Sequence, residues 1–213
     1  MKIKIFKRGL VVSFLALFLF VQFYSLTEYS FAVVDNVVVT LDVDSGISIS
    51  DGAAVTMAPH ISISSNSSIG SSSWTVITNG ANGYSLAVNA STDPALKSTT
   101  DSFANYTEAV AGTPEAWSVP SGSKEFGYSA YGTDTSTVTW GAAASCGAAG
   151  VPSGTQNYVG FLPTPTTKII ATRATVTPFT GVATTICFAA EQDGIFAAAG
   201  TYTATITGTA VTL

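Results

Sequence analysis

The stretch Ser73–Ser91 reads "SWTVITNGANGYSLAVNAS". Trp74 and Val76 alternate with polar residues on the way into a five-residue turn, Asn79–Gly83. Tyr84, Leu86 and Val88 alternate on the way out. A period of two puts each apolar set on one face of a strand. Asn79-Gly80 and Asn82-Gly83 supply residues that tolerate the positive φ of a tight reversal. The stretch predicts a β-hairpin.

The same alternation spreads outward in both directions. Upstream, "NVVVTLDV" (36–43) sets Val37, Val39, Leu41 and Val43 on one face, and "GISIS" (46–50) and "HISIS" (60–64) each alternate two isoleucines. Downstream, "EFGYSAYG" (125–132), "STVTWG" (136–141), "QNYVGFL" (156–162), "TKIIAT" (167–172) and "TTICFAAE" (184–191) read as strands between Gly, Pro and Ser breaks. In the segment 91–110, Asp93 as cap and Pro94 in the first turn predict a single helical turn. The final "GTYTATITGTAVTL" (200–213) reads as a strand reaching the last residue, and is expected to lie centrally in the fold. About ten short strands with turn signals between them predict an all-β fold: one immunoglobulin-like or related β-sandwich over residues 33–213.

Residues 1–32 read as a secretory signal. Lys2, Lys4, Lys7 and Arg8 precede an apolar run from Leu10 to Tyr24, and Ser30-Phe31-Ala32 offers a cleavage site after Ala32. At 15 residues the run is shorter than the roughly 20 a spanning helix needs, so no stable membrane span is expected after processing. A pilin-type leader cut after Gly9 is the rival, with Phe14 where such leaders carry Glu. Cleavage after Ala32 leaves Lys97, Lys124, Lys168 and Arg173 against twelve acids, a net charge of 4 − 12 = −8. Such a chain repels polyanions, so nucleic acid is not an expected partner. Only 10% of the chain is charged, so its polar surface must come from Ser, Thr, Asn and Gly. That surface suits an extracellular or cell-surface protein meeting glycans, cell wall or copies of itself.

Cys146 and Cys187 are the two cysteines. In an oxidising compartment they predict one disulfide, with two buried thiols as the rival reading. With His60 as the single histidine, they do not make a metal site, and no cofactor is expected.

Catalytic motifs are weak. "GYSAYG" carries Tyr131 where a G-x-S-x-G elbow needs Gly, and "SGSK" gives Ser121 and Lys124 an S-x-x-K spacing without its companion motifs. His60 and Lys124 read as surface residues, and the chain is not expected to be an enzyme; a secreted hydrolase is the competing class. Asp42, Asp44 and Asp51 cluster without the dense pattern of a calcium loop; Asp42 and Asp44, on one strand face, read as charges guarding a strand edge, with calcium binding by the three as the rival reading. Aromatic rings could stack on sugars. Trp117, Tyr131 and Trp140 are the candidate ligand-binding residues, while Trp74 reads as core.

The turn "ITNGANGYSLAVNAS" (77–91), with "AAGTYTATITGTAV" (198–211) far downstream, resembles the WxL cell-wall-binding proteins of bacterial surfaces. Tyr84-Ser85-Leu86 stands where that family's first Trp-x-Leu would be. "FGYSAYGTDTSTVTWG" (126–141) with the same closing strand resembles spore coat protein U and the pilus subunits related to it. Both resemblances imply a secreted, non-enzymatic β-sandwich. The expected function is a secreted or cell-surface structural or adhesive module that holds cell-wall polymer or glycan non-covalently. The alternative is a pilin-like or coat-like subunit that assembles into a fibre or layer. In that case "VVDNVVVTLDV" (33–43) could complete a neighbour's sheet, although packing in its own sandwich is the simpler expectation.

Overall fold

A computed structural model of the chain describes residues 35–50, 52–162 and 165–213. The expected signal segment therefore lies outside the described residues. Residues Asp44–Leu213 form one compact unit, and it is a β-sandwich.

Strands β1 (Ile47–Ile49), β2 (Ser67–Thr78), β12 (Val182–Asp193), β7 (Ser123–Gly132), β10 (Asn157–Gly160) and β6 (Glu115–Ala116) line up in that order in the large sheet. Strand β5 (Ser102–Asn105) pairs parallel with β7 and antiparallel with β4 (Leu96–Lys97). Facing it is a three-stranded sheet, β11 (Lys168–Arg173), β3 (Tyr84–Ala90) and β13 (Ile206–Thr212), in that order. A small ladder of β8 (Gly147–Ala148) and β9 (Val151–Pro152) completes the set.

The stretch 73–91 does turn at Asn79–Gly83, with Gly83 at φ 77°. It is not a hairpin. β2 pairs with β1 and β12, whereas β3 pairs with β11 and β13. The turn is an arch that carries the chain from one sheet to the other. Trp74 and Val76 thus face Tyr84, Leu86 and Val88 across the core, all 8% exposed or less. Phe126, Tyr128 and Ala130 from β7 join Ile186, Phe188 and Ala190 from β12 in the same layer. Phe161 stacks there against Phe126, ring centroids 5.3 Å apart. Each such fully buried large side chain is worth about 1.5–3 kcal/mol. Gly208 lets the closing strand approach, since a Cβ there would come within 2.8 Å of the Trp74 ring; Gly52, in the segment after β1, likewise meets that ring, where a Cβ would come within 2.9 Å.

At the arch end, Tyr84 donates its hydroxyl hydrogen to Asp134 Oδ2 at 2.8 Å, and Arg173 pairs with Asp134 Oδ1 at 3.1 Å. The buried Tyr84 phenol is held well above its usual range by desolvation and by the Asp134 charge. Asn79 fixes the entry to the sandwich, taking the Gly46 N–H on Oδ1 at 2.6 Å and donating from Nδ2 to the Asp44 carbonyl at 2.8 Å.

Several sequence expectations change. "NVVVTLDV" is not a strand: Val37, Val39, Leu41 and Val43 are 83%, 87%, 84% and 76% exposed. "HISIS" is a turn, because Ser62 Oγ accepts the N–H groups of Ser64 and Ser65, and the Ser62 N–H donates to the Ser65 carbonyl. Serine side chains here bond their own backbone in place of a ladder partner. The helical turn after Asp93 is absent; Asp93 Oδ1 instead accepts from Asn105 Nδ2 at 2.9 Å. "STVTWG" is a short helix, α1 (Thr137–Trp140), capped by Ser136 Oγ on the Thr139 N–H. The last strand begins only at Ile206, and among the described residues it is an edge strand, paired with β3 alone.

Candidate functional site

Alternation along β7, β10 and β12 that sends one set of residues inward sends Gly127, Ser129, Tyr131, Tyr158, Thr185, Cys187, Ala189 and Glu191 to the outer face of the large sheet. A second apolar layer forms there: Tyr106, Tyr158, Cys187 and Ala189, flanked by Ile69, Trp117, Tyr131 and Cys146. The expected disulfide is present, joining Cys146 to Cys187 with Cα atoms 5.3 Å apart. It clips the segment after α1 onto β12 across a sequence separation of 41. In the chain-entropy model a loop of that length stabilises the fold by about 4 kcal/mol.

Trp117 lies flat over this layer. It stacks on Tyr106 with centroids 4.6 Å apart and meets the Tyr158 ring edge-on at 5.3 Å. Its indole N–H donates to Glu191 Oε2 at 2.6 Å. Gly127 beneath makes the approach possible, since a Cβ there would stand 3.1 Å from Trp117 Cζ3 and 2.8 Å from Tyr106 Cβ. Burial pushes the Tyr106 phenol up to about 12 and the Tyr158 phenol to about 12. Tyr106 hydroxyl donates to the Ala116 carbonyl at 3.0 Å.

Tyr131 is half-buried and sits opposite Thr185, which in turn sits opposite Ser73 on β2. Thr185 and Ser73 hydroxyls hydrogen bond at 2.8 Å. One aromatic ring and two hydroxyls therefore form a row across three strands, with the exposed Ser71 beside it. Such a row can take an uncharged polyol: the ring covers C–H groups, while hydroxyls exchange hydrogen bonds.

Trp140 is not part of this face. It is 2% exposed and packs on Tyr128 at 5.7 Å in the core. The helix of "STVTWG" turns the ring inward, where a strand would have left it on an alternating surface. Of the three predicted ligand-binding aromatics, the structure thus brings Trp117 and Tyr131 to the outer face and buries Trp140. Thr185, Ser73 and Glu191 were missed. The phase of "TTICFAAE" carries the signal, because the residues sharing a face with Cys187 are Thr185, Ala189 and Glu191.

The polar candidates separate. His60 is exposed. Lys124 is tied to Asp101, whose carboxylate also accepts from Tyr202 hydroxyl at 2.6 Å and the Ala198 N–H at 2.8 Å. The Lys124 bond, with help from Tyr202 and Ala198, holds the Asp101 carboxyl well below the usual carboxylate range. Asp42 and Asp44 are exposed, and Asp51 lies outside the described residues. Among the described residues no group of three or more His, Cys, Asp or Glu is placed to hold a metal ion. Among them, too, no helix is long and apolar enough to cross a membrane. No family model, curated protein or solved structure matches this chain.

Proposed function

We propose that this chain is an exported, non-catalytic surface module whose outer sheet face holds a neutral polysaccharide of the cell wall or a related glycan. The observation that carries the reading is the Tyr131–Thr185–Ser73 row, flanked by the Trp117 layer and braced by the disulfide. A preformed, hydroxyl-lined face suits a polymer that is gripped along its length without chemistry. The excess of negative charge on the chain disfavours anionic ligands and leaves uncharged sugars as the fitting class. The bonds that occupy Lys124 and Asp101 support a role without turnover.

Co-sedimentation with purified peptidoglycan and retention on a panel of neutral glycans test this. The wild-type chain should be retained, and Tyr131→Ala should lose at least tenfold in apparent affinity while staying folded, with a cooperative unfolding transition well above the assay temperature. Release of soluble product, abolished by an acidic or Ser121 substitution, would instead make the protein a hydrolase and overturn the reading.

A further inference from the structure

The exposed segment Asn36–Val43 and the edge strand β13 are complementary, and β13 belongs to the three-stranded sheet, not to the large sheet that carries the Tyr131 row. Sheet edges in natural proteins are guarded by charge, proline, bulges or brevity. The edges of this sandwich differ sharply in that respect. β11 carries Lys168 and Arg173, a register break between Ile169 and Ala171, and a Thr172 N–H that donates to the Asp134 carbonyl. β1 is three residues long and β6 two. β13 runs seven residues in unbroken register with β3, and "ITGTAVT" has no charged residue and no proline.

The polarity of its backbone is fixed by the bonds at its two ends. Ser91 N–H donates to the Thr205 carbonyl, and Leu213 N–H to the Gly83 carbonyl. In an antiparallel ladder bonded pairs alternate, so the odd-numbered residues of β13 bond β3. The N–H and C=O groups of Ile206, Gly208, Ala210 and Thr212 point away from it. The rim they border is apolar and incompletely covered: Ile206 and Ala210 on β13, with Ile47 and Ile49 on β1, are only partly buried against the core.

Asn36–Val43 has what this edge needs. Its eight residues are enough to span the seven of β13, and Val37, Val39, Leu41 and Val43 alternate on one side. These four large apolar side chains are each at least 76% exposed. Runs of exposed apolar residues of this kind mark interaction surfaces. The residues that follow are pinned to Asn79 through Asp44 and Gly46.

We propose that Asn36–Val43 of one copy adds as a further strand to the free edge of β13 in a second copy, its valines and leucine covering the Ile47–Ile49–Ile206–Ala210 rim. Backbone bonds supply affinity, and the alternate side chains set the register. The contact joins two different surfaces, so it does not close on itself; each copy offers a free strand and a free edge, and the product is a linear assembly.

The test uses the chain from Val33 to Leu213, by light scattering after size exclusion over a hundredfold concentration range. Wild type should form a concentration-dependent series of oligomers. V39K/L41K, which alters only residues outside the compact unit, should be monomeric with an unchanged melting temperature. A210P, which removes one free-edge N–H, should also be monomeric; T212P serves if A210P does not fold. The two monomeric variants, one with an intact edge and the other with an intact strand, should when mixed give a complex of two chains and nothing larger. A monomeric wild type at every concentration, as pairing within one chain would give, overturns the proposal. So does assembly that survives V39K/L41K, or a mixture that stays monomeric.

Discussion

Two stretches of this chain carry the same pattern and meet opposite fates. In Tyr84–Ala90, Tyr84, Leu86 and Val88 alternate and are 1% exposed or less, at the centre of the three-stranded sheet. In Asn36–Val43, Val37, Val39, Leu41 and Val43 alternate with equal regularity and stand in solvent. The difference lies in neighbours. β3 has a ladder on each side, from β11 and β13, and a facing sheet that supplies Trp74 and Val76. Alternation states that a segment can bury one face; it does not say that its own domain will provide the cover.

The largest effect that would break this contrast comes from truncating one member of each set. Leu86→Ala should cost about 2–5 kcal/mol of unfolding free energy, read by denaturant titration, through lost transfer energy and a residual cavity. V39A/L41A should leave the unfolding of the monomer unchanged within about 0.5 kcal/mol. Equal losses in the two would mean that the N-terminal segment is core after all.

A smaller effect addresses the arch that separates the two sheets. Gly83 has φ 77°, and a Cβ there would stand 2.1 Å from the Arg173 carbonyl oxygen. Gly83→Ala should destabilise by about 1–3 kcal/mol from the backbone conformation alone, with a further penalty from the clash against β11. Gly112 also has positive φ, at 73°, yet a Cβ there meets nothing within 4 Å. Gly112→Ala should therefore show the conformational cost without the clash, and the difference in melting temperature between the two variants reports the packing at the arch.

The smallest effect is a pH dependence. Glu125 is 5% exposed in β7, accepting from the Thr107 N–H at 3.3 Å. Burial raises its carboxyl above the ordinary value, and the neighbouring Glu108 charge adds to the rise. The folded state then binds the proton more tightly than the unfolded chain, so stability falls as pH rises out of the carboxylate range. Glu125→Gln should raise the melting temperature at pH 7, and the gain should vanish below about pH 4, where the unfolded carboxyl is protonated as well. A variant less stable than wild type at pH 7 would show that the Glu125 charge is compensated. It would also narrow the contrast between polar and apolar burial in alternating strands.

Much of the architecture was legible. "EFGYSAYG", "TKIIAT" and "TTICFAAE" became β7, β11 and β12 because β-branched and aromatic residues at period two leave few alternatives. The pairing of Cys146 with Cys187 followed from there being two cysteines. The site was only half legible: Trp117 and Tyr131 reached the outer face, but Trp140 was placed by a four-residue helix that Ser136 caps. A serine cap and a Thr-rich strand look alike until the backbone chooses between them.

By itself the sequence determined an all-β chain, the inward faces of its principal strands, the reversal at Asn79–Gly83 and the two cysteines available to pair, because each of these depends on residues within one strand, one turn or one cysteine pair. Tertiary structure alone decided that the Asn79–Gly83 turn crosses between sheets, that the last strand is an edge, and that the valines of 37–43 lie outside the core. The period of two is identical for a hairpin and an arch, for a central strand and an edge. Only the partners supplied by residues far along the chain tell them apart, through the ladder bonds and buried surface that they bring.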